Sequence, residues 1–391
     1  MAKESTYGSF ATPVRRFEMV SFNVAPQVGV IQDASLYGGQ SRRALYQGAL
    51  SYRGTFVVRL NYEGLEELLR GVFGAYARSV VSGVIADHTF KEGATLNSYT
   101  FEVGAGDVPA GKVFRLLGAK LTGVTIRGTA GTGTDAMLQA EFTVIARDMQ
   151  SDQTPTASTS PATVTTCLAT SSSTLTRAAF DFAGAGVAVG QTVSHPSFPV
   201  GTTVAAVAVG TVTLSAPANG SLVTATAVFS TLQAPSLLPV LYHQAITADD
   251  GTADAASSVR IRSFEVTLEN PHAEDRFYLG SLNIDEPIRQ DFLTARWRLT
   301  QEFTTKAQFD AARAFTQGSP QFLFRHATDL GGTNFREFEL RSNKANLVEF
   351  SAPIEGYGII LSTATWEAFY DDATDLSALV ARTRNCMVAL P

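Results

Sequence analysis

Leu50–Gly74 reads LSYRGTFVVRLNYEGLEELLRGVFG, and the fold class turns on how this stretch is parsed. Phe56, Val58, Leu60 and Tyr62 alternate with Arg59 and Asn61, the period of a strand with one face in a core. At Glu63-Gly64 the period changes. Leu65, Leu68, Leu69, Val72 and Phe73 recur at helical spacing, with Glu66, Glu67 and Arg70 on the opposite face. Gly74 stands where a helix C-terminal glycine belongs. The stretch predicts a strand feeding an amphipathic helix. Arg296–Gly318, RWRLTQEFTTKAQFDAARAFTQG, has the same plan: Trp297, Leu299 and Phe303 alternate, and a helix follows with Ala307, Phe309, Ala312 and Phe315 inward.

The two stretches are parts of a longer echo. Ser263–Val266 (SFEV) repeats Ser21–Val24 (SFNV) at a spacing of 242 residues (263 − 21). Trp297 follows Phe56 at 241 (297 − 56) and Phe315 follows Phe73 at 242 (315 − 73). The shared order of strand, long loop, strand and helix predicts an internal duplication.

A chain of 391 residues exceeds one compact core, so two or three domains are expected. Charged residues make up 17%, and Gly, Ala, Thr and Ser are abundant, which favours a β-rich protein partly covered by partners. A net charge of −6 argues against a surface that grips nucleic acid. Cys167 and Cys386 leave one disulfide open and exclude a disulfide framework. There is no apolar run of membrane-spanning length and no signal-peptide core at MAKESTYGSF, so a soluble protein folding in a cytoplasm is expected.

Along the chain, residues 1–16 read as a turn-rich arm and Phe17–Val24 as the first strand. Gln32–Gly48 reads as a long polar loop, too long for a tight hairpin. Val80–Asn97 reads as connecting turns. Ser98–Val103, Val113–Leu117, Ala119–Arg127 and Ala136–Arg147 follow as strands with Gly-rich turns between them. From Gln153 to Ala248 the charged residues are Arg177 and Asp181 alone, and short alternating runs are broken by Gly and Pro. That pattern predicts an inserted small β-sandwich or barrel. Phe335–Arg341, Asn346–Ala352 and Ile359–Tyr370 supply later strands. The expected fold is mainly β (α+β): a first unit over 1–152, an inserted module over 153–240 and a second unit over 241–391.

Motifs of catalysis are weak. Gly106–Val113 has the spacing of a phosphate loop, but Val113 replaces the magnesium-binding hydroxyl, Pro109 removes a donor, and a strand follows. Gly128–Gly133 reads as a hairpin loop. The five histidines show no metal spacing, no G-x-S-x-G occurs, and the acidic pairs Asp249-Asp250 and Asp371-Asp372 fit solvated turns. No catalytic, cofactor or metal residue is predicted. Arg42 and Arg43, with Tyr37 and Tyr46, are too few for a basic stripe and fit a protein contact on a loop.

Several stretches resemble the tail tube proteins of long-tailed (siphovirus-like) phages. They are TYGSFATPVRRFEMVSFNVAPQ leading to LYGGQSRR, ALSYRGTFVVRLNYEGLEELLRGVFGAY, FRLLGAKLTGVTIRG, VRIRSFEVTLENPHAEDRFYLGS and NLVEFSAPIEGYGIILSTATWEAFYDD. The resemblance implies β-sandwich or barrel units, each with a flanking helix. Six units close a ring, neighbouring sheets join into an inner barrel, and rings stack into a hollow tail for DNA. Two units per chain then imply a trimeric, pseudo-hexameric ring. On that reading Tyr37, Arg42, Arg43 and Tyr46, together with Gly280–Leu293 and the N-terminal arm, contact the next ring, while Val57, Arg59 and Asn61 face the barrel. Implied partners are other copies of the chain, a tape measure protein, tail terminator or tip proteins, and DNA passing without specific binding. The implied place is the virion tail, assembled in the host cytoplasm, with no membrane and no cofactor. The piece VGTTVAAVAVGTVTLS resembles small β domains that decorate phage surfaces, which implies an insert projecting outward. The alternatives are another virion β protein (capsid decoration or tail tip), a carbohydrate-binding surface module favoured by the Ser/Thr-rich insert, and a β-rich hydrolase favoured by scattered carboxylates.

Overall fold

The computed structural model describes residues 1–33, 44–82, 85–104, 113–133, 136–155, 162–169, 173–185, 187–189, 191–199, 202–218, 223–230, 238–250, 260–303, 306–331, 334–353 and 359–387. The glycine turn Gly106–Lys112 lies outside them, as do Tyr37, Arg42 and Arg43.

The N-terminal half contains β1 (Ala2–Lys3), β2 (Met19–Gln32), β3 (Leu45–Arg59), α1 (Glu66–Phe73), β4 (Gly74–Ser82), β5 (Ile85–Glu92), β6 (Tyr99–Val103), β7 (Val113–Thr129), β8 (Gln139–Ala146) and β9 (Asp148–Gln153). Between the halves lie β10 (Ala162–Ala169), β11 (Thr174–Thr176), β12 (Thr192–Ser194), β13 (Val204–Ala208), β14 (Thr211–Leu214) and β15 (Thr224–Ser230). The C-terminal half contains β16 (Ala245–Asp249), β17 (Ile261–Glu269), β18 (Thr294–Glu302), α2 (Ala307–Ala314), β19 (Gln317–Gly318), β20 (Gln321–Gly331), β21 (Asn334–Arg341), β22 (Ala345–Ser351), β23 (Leu361–Ala368) and β24 (Val380–Asn385). The fold is mainly β with two flanking helices.

One large sheet runs β2-β3-β8-β7-β17-β18-β23-β22, with β19 beyond β22. Its first four strands and its next four follow the same order of connection. The irregularities coincide too. β2 skips a residue at Val20 against β3, and β17 skips one at Arg262 against β18. β7 skips at Thr122 against β8, and β22 skips at Val348 against β23. A bulge adds one residue to one strand and re-aims the side chains beyond it, so bulges in matching places keep the two four-strand groups in phase. This register puts Leu299 opposite Phe264 as Phe56 is opposite Phe22. Leu299, rather than Trp297, therefore takes the position of Phe56.

A second sheet, β16-β20-β21-β24-β5-β4, lies against the apolar face of the first. The rings of Phe264 and Phe322 stack across the gap at 4.5 Å, and Trp297 lies 5.6 Å from Phe322. Each such fully buried ring contributes about 2 kcal/mol relative to exposure. The module between the halves has a core of its own, including Val164, Cys167, Leu175, Phe182 and Phe229. Its sheet order is β12-β15-β10-β11-β14-β13, and a bridge between Thr192 and Thr203 joins the two ends into a small barrel. Leu238 and Val240 are already bonded to Tyr62, Leu60 and Leu138 of the main body, so the separate module ends near β15. Cys167 and Cys386 are both buried and free.

Several expectations are corrected. Residues 1–16 are a docked segment: β1 pairs with β6, and the buried Glu4 carboxylate accepts from Gly8 N–H, Thr100 Oγ1 and Gly118 N–H. The first strand runs on to Gln32, and Leu45–Gly48 already belong to β3, so much of the expected loop is paired strand. Val80–Asn97 holds most of the β4–β5 hairpin, not turns. Val113–Arg127 is one strand rather than two, bent at Gly118.

The helices differ most from expectation. Glu66 and Glu67 are buried, because α1 lies between β7 of one sheet and β4–β5 of the other. Gly71 permits that approach: a Cβ there would come within 2.9 Å of Leu121 and 3.0 Å of Tyr99. Gly74, at φ 92°, caps the helix through a bond from its N–H to the Arg70 carbonyl. Phe315 occupies the same capping place in α2, also at positive φ, and is exposed along with Phe309. Instead of those two rings, Ala311 and Ala312 pack toward the core, since α2 lies by β22 at the sheet's end with one side uncovered.

Burial pushes the Glu66 carboxyl above its ordinary range, against hydrogen bonds from Asn385 Nδ2 (2.6 Å) and Gly64 N–H (2.8 Å) that favour the anion. The folded state then holds this proton more tightly than the unfolded chain, so ionisation costs stability as pH rises through and beyond the usual carboxylate range. Comparing thermal midpoints of Glu66→Gln and the parent from about pH 4 to about pH 8 should show the difference moving in favour of the variant. A difference that does not change with pH would remove burial as the dominant effect.

Candidate assembly surfaces

Away from the core, the large sheet presents a polar face, built by alternation in β17 and β18 and joined by Arg59 of β3 and Arg127 of β7. Buried Val266, Leu268, Trp297 and Leu299 alternate with exposed Glu265, Glu269, Arg296 and Arg298. One cross-strand row runs Arg59, Gln139, Arg127, Glu265, Arg298, Thr365, Glu349. Within it Arg127 also meets Glu141 at 3.5 Å. Arg53, Arg59, Arg127, Arg296 and Arg298 share this face with Glu141, Glu265, Glu269, Glu349 and Glu367, so its charges balance. Exposed pairs of this kind add little stability each but keep the face wet. Glu265, Glu269, Arg296, Arg298 and Glu349 line one groove of about 450 Å³ on this face.

Val57 and Arg59 both lie on this face. Arg59 is exposed, while Val57 is buried between its cross-strand neighbours Ser21 and Glu141. Asn61 lies past the end of β3 and is bridged to Pro239, so it does not continue the row. Tyr46 stands exposed near the start of β3, among exposed Val28, Val30, Ile31 and Leu45. The structure thus brings Val57 and Arg59 together and separates both from Tyr46. Sequence reasoning missed Arg127, Glu265, Arg296 and Arg298, although the alternation in RSFEVTLE and TARWRLTQE carried the signal.

The sheet ends in two free edges. Among the described residues, β2 is paired on one side only, by β3. The outer side of β22 is met by β19 at Ala345 and Asn346, and the described residues place no strand beside Leu347–Ser351. Open edges of this length are pairing surfaces.

The segment between β17 and β18, which includes Gly280–Leu293, is held against the N-terminal half. Leu50 N–H donates to Leu282 O (2.9 Å) and Ile284 N–H to Leu50 O (3.1 Å). The Arg53 guanidinium bonds Glu274, and Arg289 donates to Gly93 O (2.7 Å). Lys120, itself buried, donates to the Pro287 carbonyl (2.9 Å) and pairs with Glu286 at 2.7 Å. Exposed Leu279 and Phe292 remain on its outer side. Lys120→Ala should free this clamp and speed tryptic cleavage after Arg276 and Arg289, read as early fragments in limited digestion. An unchanged digestion course would show that the other bonds hold the segment without Lys120.

The family model for phage tail tube proteins matches residues 1–185, which cover the N-terminal half of the body and run into the small barrel. No curated protein matches the chain.

Proposed function

We propose that this chain, a member of the phage tail tube protein family through residues 1–185, is the repeating subunit of a hollow tail tube. The family gives it a structural role in the virion. The observation that carries the finer reading is the large sheet, in which two four-strand groups of the same order and with matching bulges lie side by side. Two groups per chain favour a duplicated tube unit, and three chains then bring six units into a trimeric, pseudo-hexameric ring.

In this reading the polar face lines the channel. Arginines and glutamates there balance, so a passing duplex meets no continuous basic surface of the kind that holds phosphates. Val57 and Arg59 are on the channel side. Exposed Tyr46 on β3, with Tyr37, Arg42 and Arg43 shortly before it in the sequence, is the candidate contact between stacked rings, and the tape measure and terminator or tip proteins meet the tube at its bore and ends. The small barrel, closed and with its own core, projects outward. Assembly takes place in the host cytoplasm, and DNA crosses the finished tube at ejection.

Electron microscopy of the concentrated, purified chain should show long hollow tubes with a regular ring repeat. A protein that stays monomeric at high concentration and with tail-assembly partners would overturn the reading. Deleting residues 155–235 should leave tubes that are narrower in outer diameter and unchanged in bore. A deletion chain that folds but forms no ring would assign the barrel to the assembly contact instead.

A further inference from the structure

The two free edges of the large sheet are related to the junction inside it. β2 stands in the first four-strand group where β17 stands in the second, and β22 stands where β7 does. Within the chain, β7 and β17 are paired over Gly123–Thr129 and Ser263–Glu269. We infer that this junction is repeated between copies: β22 of one chain pairs antiparallel with β2 of a second, in the register that joins β7 to β17. The inference rests on the tube reading above, in which copies join side by side, and adds which residues meet.

The shared bulges fix the correspondence. Leu121 and Gly123, which flank the bulge of β7, match Leu347 and Glu349 of β22. Met19 and Ser21 of β2 match Ile261 and Ser263 of β17 in the same way. Gly123 faces Glu269 within the chain, so Glu349 faces Gln27 of the second copy. Thr125 faces Thr267, so Ser351 faces Ala25 of the second copy.

The side chains suit that register. On the core side of the internal junction Val124 meets Leu268 and Ile126 meets Val266, all buried. The matching residues are Phe350 against Pro26 and Ala352 against Val24, which keeps the row apolar. Exposed Val28 on β2 and Phe309 on the helix beside β22 lie along the two edges, where pairing would take apolar surface from water.

The backbone suits it as well, with one bond fewer. Asn270 N–H donates to Thr122 O (2.8 Å) and Ala130 N–H to Arg262 O (2.7 Å), so alternate residues of β17 from Arg262 to Asn270 face β7. The matching residues Phe22, Val24 and Pro26 turn their backbones to the open edge of β2. Pro26 has no N–H to give there, so the junction between copies lacks the bond that Leu268 can make within the chain.

Ser351 and Ala25 would form a non-hydrogen-bonded pair, the closest kind in an antiparallel ladder. Their internal counterparts, Thr125 and Thr267, have hydroxyls 3.3 Å apart. Both positions are exposed, and both native cysteines are buried. The test is disulfide trapping with Ala25→Cys/Ser351→Cys in the full-length chain, oxidised after assembly and run on a non-reducing gel. Thr125→Cys/Thr267→Cys serves as the standard for a bond inside one chain. The expected result is a covalent ladder of copies for Ala25→Cys/Ser351→Cys, at several-fold higher yield than for Ser351→Cys combined with Asn23→Cys or Gln27→Cys. Rings in the microscope together with better bonding by a displaced pair, or with none by any pair, would overturn the register and leave the tube reading standing. No rings and no bonding would overturn both.

Discussion

The pairing of β7 with β17 is the constraint on which the architecture depends. Those seven residue pairs turn two four-strand groups into one sheet. Side chains alternate across a strand, so a slip of one residue would drive Arg127 and Glu265 toward the core and turn Ile126 and Val266 out to water. Each displaced aliphatic would forfeit about 2 kcal/mol of burial, and each charge moved inward would cost more. The junction is therefore held in register by both faces at once. Lys120 reinforces it from the same strand by clamping the segment that follows β17.

Around that junction, equal connectivity does not give equal environments. α1 is enclosed by sheet on both sides, and its acidic first turn is buried with it. The Glu66 carboxylate keeps bonds to Asn385 and Gly64, and Tyr99 donates to Glu67 at 3.0 Å, so the helix N-terminus is tied to β6 and β24. α2 follows the same strand in the other half but lies at the end of the sheet, where none of the described elements covers its second side. Its exposed Phe309 and Phe315 are what a helix shows when its covering layer is missing.

This contrast explains what could be read from the sequence. The strand ending at Arg59, the helix up to Phe73 and its glycine cap were legible because local periodicity encodes them. The central stretch, with Arg177 and Asp181 as its charges, has a hydrophobic cluster of its own. Burial of Glu66 and Glu67 was not legible, since which side of a helix is covered depends on a sheet formed by residues far along the chain. The β4–β5 hairpin hid because its first strand is largely exposed and its alternation weak. The matched spacing of SFNV and SFEV located β2 and β17, yet the same spacing misplaced Trp297 and Phe315, because the connections in the two halves differ in length. Residues of the polar face were missed for the opposite reason. Their pattern was plain, but a polar row on a half-buried strand reads as ordinary solvent surface until the strands are set in order.

The closed barrel and the open body make opposite demands on their surroundings. Among the described residues the two end strands of the barrel are bridged at Thr192 and Thr203, and the six strands enclose a core of their own. The body ends in β2 and β22, each with backbone donors and acceptors turned outward and apolar side chains close by. An edge of that kind is normally blocked by charge, shortness or cover. Here Pro26 removes one donor from one edge and β19 caps the start of the other, and the described residues leave the rest of both edges unpaired. Among the described residues the body thus leaves strand edges open, where the barrel bridges its own two ends.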